Sequence, residues 1–278
     1  MKKRAIICPG CRLLISAGEP RCPHCGLSSP GAAWRRAFMF RLLADPGLVV
    51  RAVVGVNIAM FALSLFLDPR AADLTLNPLQ LLAPSDRSLF VLGATGTIPV
   101  AGFGRWWTLL SANYLHGSIL HIFFNMAAFR QLAGLVEREY GAGRMFLVYT
   151  LSGVAGFALS FAAGVPLTIG ASAGVCGLVG ATLYFARSRG GVYGAALYRQ
   201  IGMWTLIMFV FGFIVPGINN WGHGGGIAAG ALLGALMGYR DRRKETSFQR
   251  SLAAVCLVAT LIVLLWAVAT AVFFRFVQ

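Results

Sequence analysis

Seven apolar runs, each long enough to cross a lipid bilayer, constrain the fold of this chain more than any other feature. A membrane-spanning helix needs about 17–25 mostly apolar residues. With 58% hydrophobic and only 12% charged residues, the chain is more apolar than a soluble domain of 278 residues needs to be. The sequence therefore predicts an all-α polytopic membrane protein, with spans at 49–67, 116–134, 145–164, 171–187, 201–217, 222–239 and 252–274.

The basic residues are distributed unevenly between the two sides of the predicted bundle. If the N-terminus lies inside, only four of the 24 Lys and Arg residues fall outside: Arg70, Arg87, Arg105 and Arg275. This is the positive-inside pattern, so the net charge of +15 does not require a nucleic-acid partner. We expect membrane lipids with anionic headgroups at the inner surface. The pattern favours a cytoplasmic N-terminus and an outside C-terminus, and a prokaryotic plasma membrane is the expected location.

Four cysteines near the N-terminus form two C-x-x-C pairs, Cys8 with Cys11 and Cys22 with Cys25. Each pair can present two thiolates at a tight turn, and four thiolates complete a tetrahedral zinc site. Two disulfides are the alternative, which is less favoured because thiols on the inner side of a membrane stay reduced. We predict a zinc-ribbon-like module over residues 1–30 with a structural zinc ion. This module either binds a protein partner or only stabilises the tail.

The remaining residues divide into three further parts. Residues 31–48 are predicted to be a basic linker with an amphipathic stretch on the inner membrane surface. Residues 49–240 hold the first six spans, which we expect to form the core. Residues 241–278 contain a basic cytoplasmic loop and the seventh span.

A few polar side chains lie at similar depth near the outer ends of three predicted helices. His121 and Asn125 fall in the first turns of the second helix, while Ser172 begins the fourth and His223 the sixth. Polar groups within membrane helices are rare and usually functional. His223 could take the proton of Ser172 and activate it as a nucleophile. His121, Asn125 and the first backbone N–H groups of the fourth helix could stabilise an oxyanion.

Other interpretations of the segment around Ser172 fit the sequence less well. Residues 170–174 match the Gly-x-Ser-x-Gly elbow of soluble α/β-hydrolases, which requires an acidic residue between serine and histidine. There is no Asp or Glu between Glu139 and Asp241, so we predict a Ser–His dyad without a carboxylate. A transporter or channel would carry ionisable residues along a path through the bilayer, whereas these groups stop near one face.

Glycines recur every four residues along the predicted sixth helix, at Gly226, Gly230, Gly234 and Gly238. Such a ridge lets another membrane helix approach closely. The fourth helix, which is also rich in small residues, is the expected partner. Contact between these two helices would bring His223 to Ser172.

Three separated blocks resemble the rhomboid family of intramembrane serine proteases: GRWWTLLSANYLHGSILHIFFNM at 104–126, GASAGVCGLVGA at 170–181 and HGGGIAAGALLG at 223–234. The resemblance covers roughly residues 50–240 and implies a six-helix core followed by one further helix. It implies Ser172 as nucleophile and His223 as general base and then acid, with no cofactor for catalysis.

The same resemblance implies roles for the residues around this pair. His121 and Asn125 would be side-chain oxyanion donors beside the backbone N–H of the serine. Gly170 would be the first glycine of the serine motif. His116 would be a structural histidine at the outer end of the second helix, and the glycines of the ridge would be packing residues.

The implied function is an endopeptidase that cleaves transmembrane segments of membrane-protein substrates near the outer leaflet. Substrate would enter by movement of the fifth helix or of the loop at 216–222. Two positions depart from the family pattern: Ala173 replaces a common glycine, and Cys176 stands where an aromatic side chain often packs on the base histidine. The alternative is a catalytically inactive rhomboid-like protein that binds transmembrane clients.

Overall fold

Helices make up most of the computed structural model, which describes residues 5–8, 10–31, 47–68 and 80–276. The described chain contains seven helices of 18 to 30 residues, which confirms the predicted all-α fold of six helices and a seventh. They are α1 (Leu48–Leu67), α2 (Ile119–Tyr140), α3 (Ala142–Ala162), α4 (Ser172–Arg189), α5 (Gly191–Ile214), α6 (Asn220–Met237) and α7 (Ser247–Phe276). Among the described residues, α1, α2, α3, α5 and α7 are long and apolar enough to cross a membrane.

The two other long helices, α4 and α6, make the most extensive helix contacts in the bundle. These contacts join α4 to α6 and both of them to α3. Glycines and polar residues occur among the apolar residues of both helices, and neither is one of the five described helices that are long and apolar enough to cross a membrane. Most of α4 is buried, whereas Leu232 and Leu236 of α6 are exposed.

The glycine ridge of α6 contacts the backbone of α4 directly. A Cβ atom at Gly226 would overlap the carbonyl oxygen of Ala173, and one at Gly230 would overlap the carbonyl oxygen of Gly177. Residues without side chains are what such close packing of membrane helices requires. The predicted pairing of the fourth and sixth helices is therefore confirmed.

The start of α2 differs from the prediction of 116–134. The helix begins at Ile119, because the side chain of Ser118 accepts a hydrogen bond from the backbone N–H of His121 at 3.2 Å and caps its first turn. His116 consequently lies in the loop before the helix rather than within it.

Helices α5 and α7 are longer than the predicted spans of 201–217 and 252–274. The prediction followed hydropathy, which locates the apolar part of a helix and not its ends. The first turns of α5 contain polar residues, including Arg199, and the helix continues through them. A long basic side chain near a helix end can extend toward the membrane surface, so it does not have to end the helix.

The described part of the loop between α1 and α2 contains four short elements. They are a helix at Asp86–Leu92, a π-helical turn at Ile98–Gly102 and single turns at Thr108–Ser111 and Ala112–Tyr114. This loop is tied to the segment before α4, because Thr95 and Thr168 exchange backbone hydrogen bonds at 3.0 and 2.7 Å.

The N-terminal module is a small antiparallel hairpin. Strand β1 (Ala5–Ile7) pairs with β2 (Leu14–Ser16). Most of the predicted linker over 31–48 falls at 32–46, which lies outside the described residues.

Candidate active site

Gly170 places two of the predicted site residues beside one small volume. Its φ of +129° is a backbone conformation that favours glycine, and its N–H donates to the carbonyl of Ala112 at 2.9 Å. A Cβ atom at Gly170 would lie 3.0 Å from His121 Nε2 and 3.3 Å from Ser172 Oγ. The histidine nitrogen and the serine oxygen therefore border the space that a side chain at this position would fill.

The hydrogen bonds of His121 indicate which ring nitrogen carries the proton. Nδ1 accepts a hydrogen bond from the backbone N–H of Gly117 at 3.2 Å. A neutral imidazole that accepts at Nδ1 carries its proton at Nε2. His121 thus presents an N–H donor on the side where Ser172 Oγ lies.

His116 packs edge-on against His121, with ring centroids 5.0 Å apart. It is fully buried, and neither of its ring nitrogens has a hydrogen-bond partner within the described chain. Burial lowers the pKa of His116 well below its ordinary value, and His121 beside it acts in the same direction, so the ring is neutral. Its contact with His121 agrees with the structural role that the resemblance implies.

Asn125 lies one turn after His121 and is buried in the same helix. Its amide nitrogen donates to the backbone carbonyl of His121 at 2.9 Å. One of its two amide hydrogens is therefore engaged within α2, and only the other is available to a ligand.

Ser172 is half-buried at the first position of α4. No side chain caps this helix start, and a helical hydrogen bond runs from Val175 N–H to the carbonyl of Ala171 at 2.9 Å. The N–H groups of the first helical turn have no acceptor within their own helix. They can stabilise negative charge at this end of α4.

His223 lies in the first turn of α6 and is buried. Nδ1 of its ring has no hydrogen-bond partner in the described parts of the chain. Within the same residues, no hydrogen bond joins its ring to Ser172 Oγ. The structure brings together the helices that carry the two side chains without forming the bond between them, as is common for catalytic groups in free enzymes.

A junction of three helices brings residues next to Ser172 and His223 in the chain into contact. A Cβ atom at Gly156 of α3 would lie 3.2 Å from the Ala173 Cβ and 3.2 Å from the Gly226 backbone nitrogen. Ala173 follows Ser172 directly and is 1% exposed. Its methyl group is thus directed into the contact with α3.

Cys176, the second departure, is buried between α4 and its neighbours. A Cβ atom at Gly226 would lie 3.1 Å from the Cys176 Cβ, and the cysteine sulfur lies 3.6 Å from the Met208 sulfur of α5. The side chain therefore packs against α5 and α6, and a buried apolar thiol of this kind is usually inert.

Asn219, which the sequence analysis missed, connects α6, the helix that carries His223, to the segment before α4. Its side-chain oxygen caps α6 by accepting from Gly222 N–H at 2.9 Å. Its amide nitrogen donates to Ser160 Oγ at 2.7 Å and to Thr168 Oγ1 at 2.9 Å. Asparagine is a favoured residue at the position just before a helix, so this cap could have been predicted from the sequence. The bonds to Ser160 and Thr168 could not, because these residues are distant in the chain.

The four N-terminal cysteines form a separate candidate metal centre. Their sulfurs all lie within 4.8 Å of one another, with Cys8–Cys25 at 3.7 Å and Cys11–Cys22 at 3.6 Å. Sulfurs around a tetrahedral zinc ion are expected about 3.8 Å apart for Zn–S bonds of about 2.3 Å. All four are free thiols, so the disulfide alternative is not formed.

Burial and hydrogen bonding act in opposite directions on the four thiols. Burial raises the pKa of Cys11 and of Cys25. At Cys22 burial acts in the same direction, but hydrogen bonds from the backbone of Cys25 and His24 and from the thiols of Cys8 and Cys11 lower the pKa to about 7. Gly10 N–H also lies 3.4 Å from the sulfur of Cys8. The donor set therefore fits a metal that binds thiolates.

Comparisons with known proteins match this arrangement to one family. The family model of the rhomboid domain matches residues 104–240, which include all the candidate catalytic residues. Rhomboid protease GluP of Bacillus subtilis is 37% identical over 157 residues, which cover 56% of this chain but only 30% of that protein. YdcA of the same organism, named as a candidate rhomboid protease, is 30% identical over 144 residues, which cover 51% of this chain and 72% of YdcA.

A relative described as inactive matches as well. Inactive RHOMBOID-like protein 8 of Arabidopsis thaliana is 28% identical over 158 residues, covering 55% of this chain and 44% of that protein. Membership of the family therefore does not by itself decide catalysis. With the matched domain, the relatives and the helix arrangement in agreement, the chain belongs to the rhomboid family.

Proposed function

We propose that this chain is an intramembrane serine endopeptidase in which Ser172 is the nucleophile and His223 the general base. The observation that carries the proposal is the shared volume beside Gly170. Ser172 Oγ and the N–H donor of His121 both border it, at the uncapped start of α4. The backbone contact between α4 and α6 joins the helix that carries His223 to the helix that carries Ser172, which supports His223 as the base.

The reaction follows from these positions. His223 takes the proton of Ser172 Oγ as the oxygen attacks a peptide carbonyl of the substrate. The negative charge on the carbonyl oxygen is stabilised by His121 Nε2–H, by the first N–H groups of α4 and by the remaining amide hydrogen of Asn125. His223 then gives its proton to the departing amine, and water hydrolyses the acyl-enzyme by the same steps in reverse order.

The substrates are proposed to be transmembrane segments of other membrane proteins. Carbonyl groups in a membrane helix are hydrogen-bonded, so a cleavable segment needs local unwinding near Gly, Pro or Ser. Helix α5 is the proposed entry side, because only Gly194 and Ile201 of its residues are buried. With the N-terminus cytoplasmic, cleavage would take place near the outer leaflet of a plasma membrane.

Client binding without catalysis is the second candidate function. It is favoured by the existence of a relative named inactive and by the absence, among the described residues, of a hydrogen bond between Ser172 and His223. In this case the exposed surface of α5 would bind a transmembrane client that is not cut.

Labelling with a serine-reactive phosphonate distinguishes the two functions. We expect the reagent to modify Ser172 in the purified protein, because His223 and the oxyanion donors also activate the serine toward phosphorus. Mass spectrometry of the labelled peptide identifies the site, and Ser172→Ala is the control that must lose the label. Folded wild-type protein that remains unlabelled would favour client binding.

Replacing Asn219 by alanine is expected to slow catalysis without preventing folding. The variant loses a helix cap, which stabilises a helix by about 1 kcal/mol, and the two bonds that join the start of α6 to Ser160 of α3 and to Thr168 before α4. We expect kcat for a model transmembrane substrate to fall by about tenfold, with little change in KM.

Asn220→Ala is the matched control, because Asn220 donates to Phe209 of α5 at 3.4 Å and has no bond to the serine segment. A purely structural role for Asn219 would lower stability and activity alike in both variants. If kcat and its pH profile change in Asn219→Ala but not in Asn220→Ala, Asn219 acts by positioning His223.

We also propose that the four cysteines hold a structural zinc ion. The sulfur distances and the backbone donors support a thiolate-binding metal, and zinc with four cysteine ligands commonly has a structural role. When bound, the ion would hold the two turns of the hairpin module together, and it takes no part in peptide cleavage. A protein partner for this module is a further expectation.

A further inference from the structure

One arginine at the inner start of α7 is not explained by the proposed catalytic function. Arg250 donates from Nε to Glu245 Oε2 at 3.2 Å and from Nη2 to the Glu245 backbone carbonyl at 3.3 Å. Its third nitrogen, Nη1, is buried and has no hydrogen-bond partner in the described regions. The side chain as a whole is only 15% exposed. A buried donor without an acceptor is unfavourable, so we expect a hydrogen-bond acceptor for Nη1.

The unpaired nitrogen faces the cysteine cluster. A Cβ atom at Gly10, within the first cysteine turn, would lie 3.0 Å from Arg250 Nη1 and 3.3 Å from Cys25 Sγ. The guanidinium and a sulfur of the cluster thus border the same point. Because residue 10 is a glycine, no side chain separates them.

Metal loading changes the charge at this contact. Four thiolates around one zinc ion carry a net charge of about −2, and a sulfur of such a centre accepts a hydrogen bond from a cation. Guanidinium groups are well suited to buried contacts with anions. Without metal, the four sulfurs no longer form one compact anionic centre, and the buried guanidinium loses that acceptor.

We propose that Arg250 joins the metal centre to the membrane core, so that the metal-loaded module docks on the start of α7 and is released when metal is lost. This inference rests on the proposed zinc site. Binding of metal and docking are then linked, and each strengthens the other by the same factor.

The docking point is part of a larger junction at the inner ends of the helices. Glu245, which holds Arg250, lies against α3, where a Cβ atom at Gly143 would be 2.6 Å from its Oε1. Arg144, which follows Gly143 in α3, is fully buried and donates to the carbonyls of Gly238 and Arg243, both at 2.9 Å. The module thus docks where α3, the end of α6 and the start of α7 meet.

The test uses the full-length protein in detergent and begins with metal content. Wild type, Arg250→Gln and the control Arg242→Gln are each expected to contain about one zinc ion per chain. Arg242 is a suitable control because it is an exposed arginine of the same inner loop that donates to Ser188. Wild type without bound zinc would overturn both the zinc site and its coupling to the core.

Zinc release to a colorimetric chelator then measures the coupling. We expect release to be about tenfold faster in Arg250→Gln than in wild type and unchanged in Arg242→Gln. Gly10→Ala, which keeps every charge but inserts a methyl group between the guanidinium and the sulfur, is expected to behave like Arg250→Gln. Full zinc content with equal release rates in all four proteins would overturn the coupling while leaving the zinc site intact.

Hydrogen exchange reports docking without reference to activity. Removal of zinc from wild type is expected to increase amide exchange at 247–251, the start of α7, as well as in the module itself. Zinc-loaded Arg250→Gln should already show the faster exchange in α7. Exchange at 247–251 that does not respond to zinc removal would contradict docking.

Discussion

Replacement of Ser172 by alanine is expected to eliminate cleavage of transmembrane substrates, since it removes the hydroxyl that borders the volume beside Gly170 and His121. Replacement of His223 by alanine should reduce the rate by about 10²–10⁴-fold, the usual contribution of a general base. The measurement is cleavage of a panel of single-span helical substrates by purified protein in detergent or liposomes.

Cys176→Ala is the control for the serine variants. The thiol packs toward Met208 and the α6 backbone, so we expect this variant to retain cleavage. Activity that survives Ser172→Ala but is lost in Cys176→Ala would assign the nucleophile to the thiol. Wild type that cleaves none of the substrates would support client binding instead.

Replacement of Gly230 by alanine is expected to destabilise the protein by about 1–3 kcal/mol, as overpacking of a tight interior does. The new methyl group would overlap the carbonyl oxygen of Gly177, and neither backbone can move without shifting a whole helix. Because the displaced helix carries His223, cleavage should fall as well. Thermal unfolding in detergent and the cleavage assay measure the two effects.

Gly134→Ala is the matched control on α2. Apart from its chain neighbours and the backbone of its own helix, no atom of the described chain lies within 4 Å of a Cβ at this position. Alanine is favoured over glycine in a helix by about 0.5–1 kcal/mol, so this variant should be as stable as wild type or slightly more stable. Equal destabilisation of both variants would mean that helix propensity, not the close contact, determines the result.

Most of the helix arrangement was predictable from the sequence, whereas the helix ends were less so. Hydropathy located the spans because a bilayer imposes their length, and the fourfold glycine spacing predicted the α4–α6 contact. Hydropathy could not place the start of α5, because the helix continues through polar residues such as Arg199 at the membrane surface. His116 was assigned to α2 for the same reason, since the cap at Ser118 has little effect on hydropathy.

The candidate site was likewise only partly predictable from the sequence. The positions of Ser172, His121 and His223 in the first turns of α4, α2 and α6 were predictable from the sequence. The roles of Asn219 and Arg250 did not, because each makes contacts with residues far away in the chain. Such contacts depend on how the helices pack, and a single sequence carries no direct record of them.

The contrast between the α4–α6 contact and α5 also indicates where this sequence can diverge. At Gly226 and Gly230 every substitution adds atoms where a neighbouring carbonyl already lies, so these positions tolerate almost no change. Along α5 most side chains are exposed, and mutations there meet few neighbours. Descendants of this chain would accordingly accumulate differences on α5, while the residues that join the helices of Ser172 and His223 stay the same.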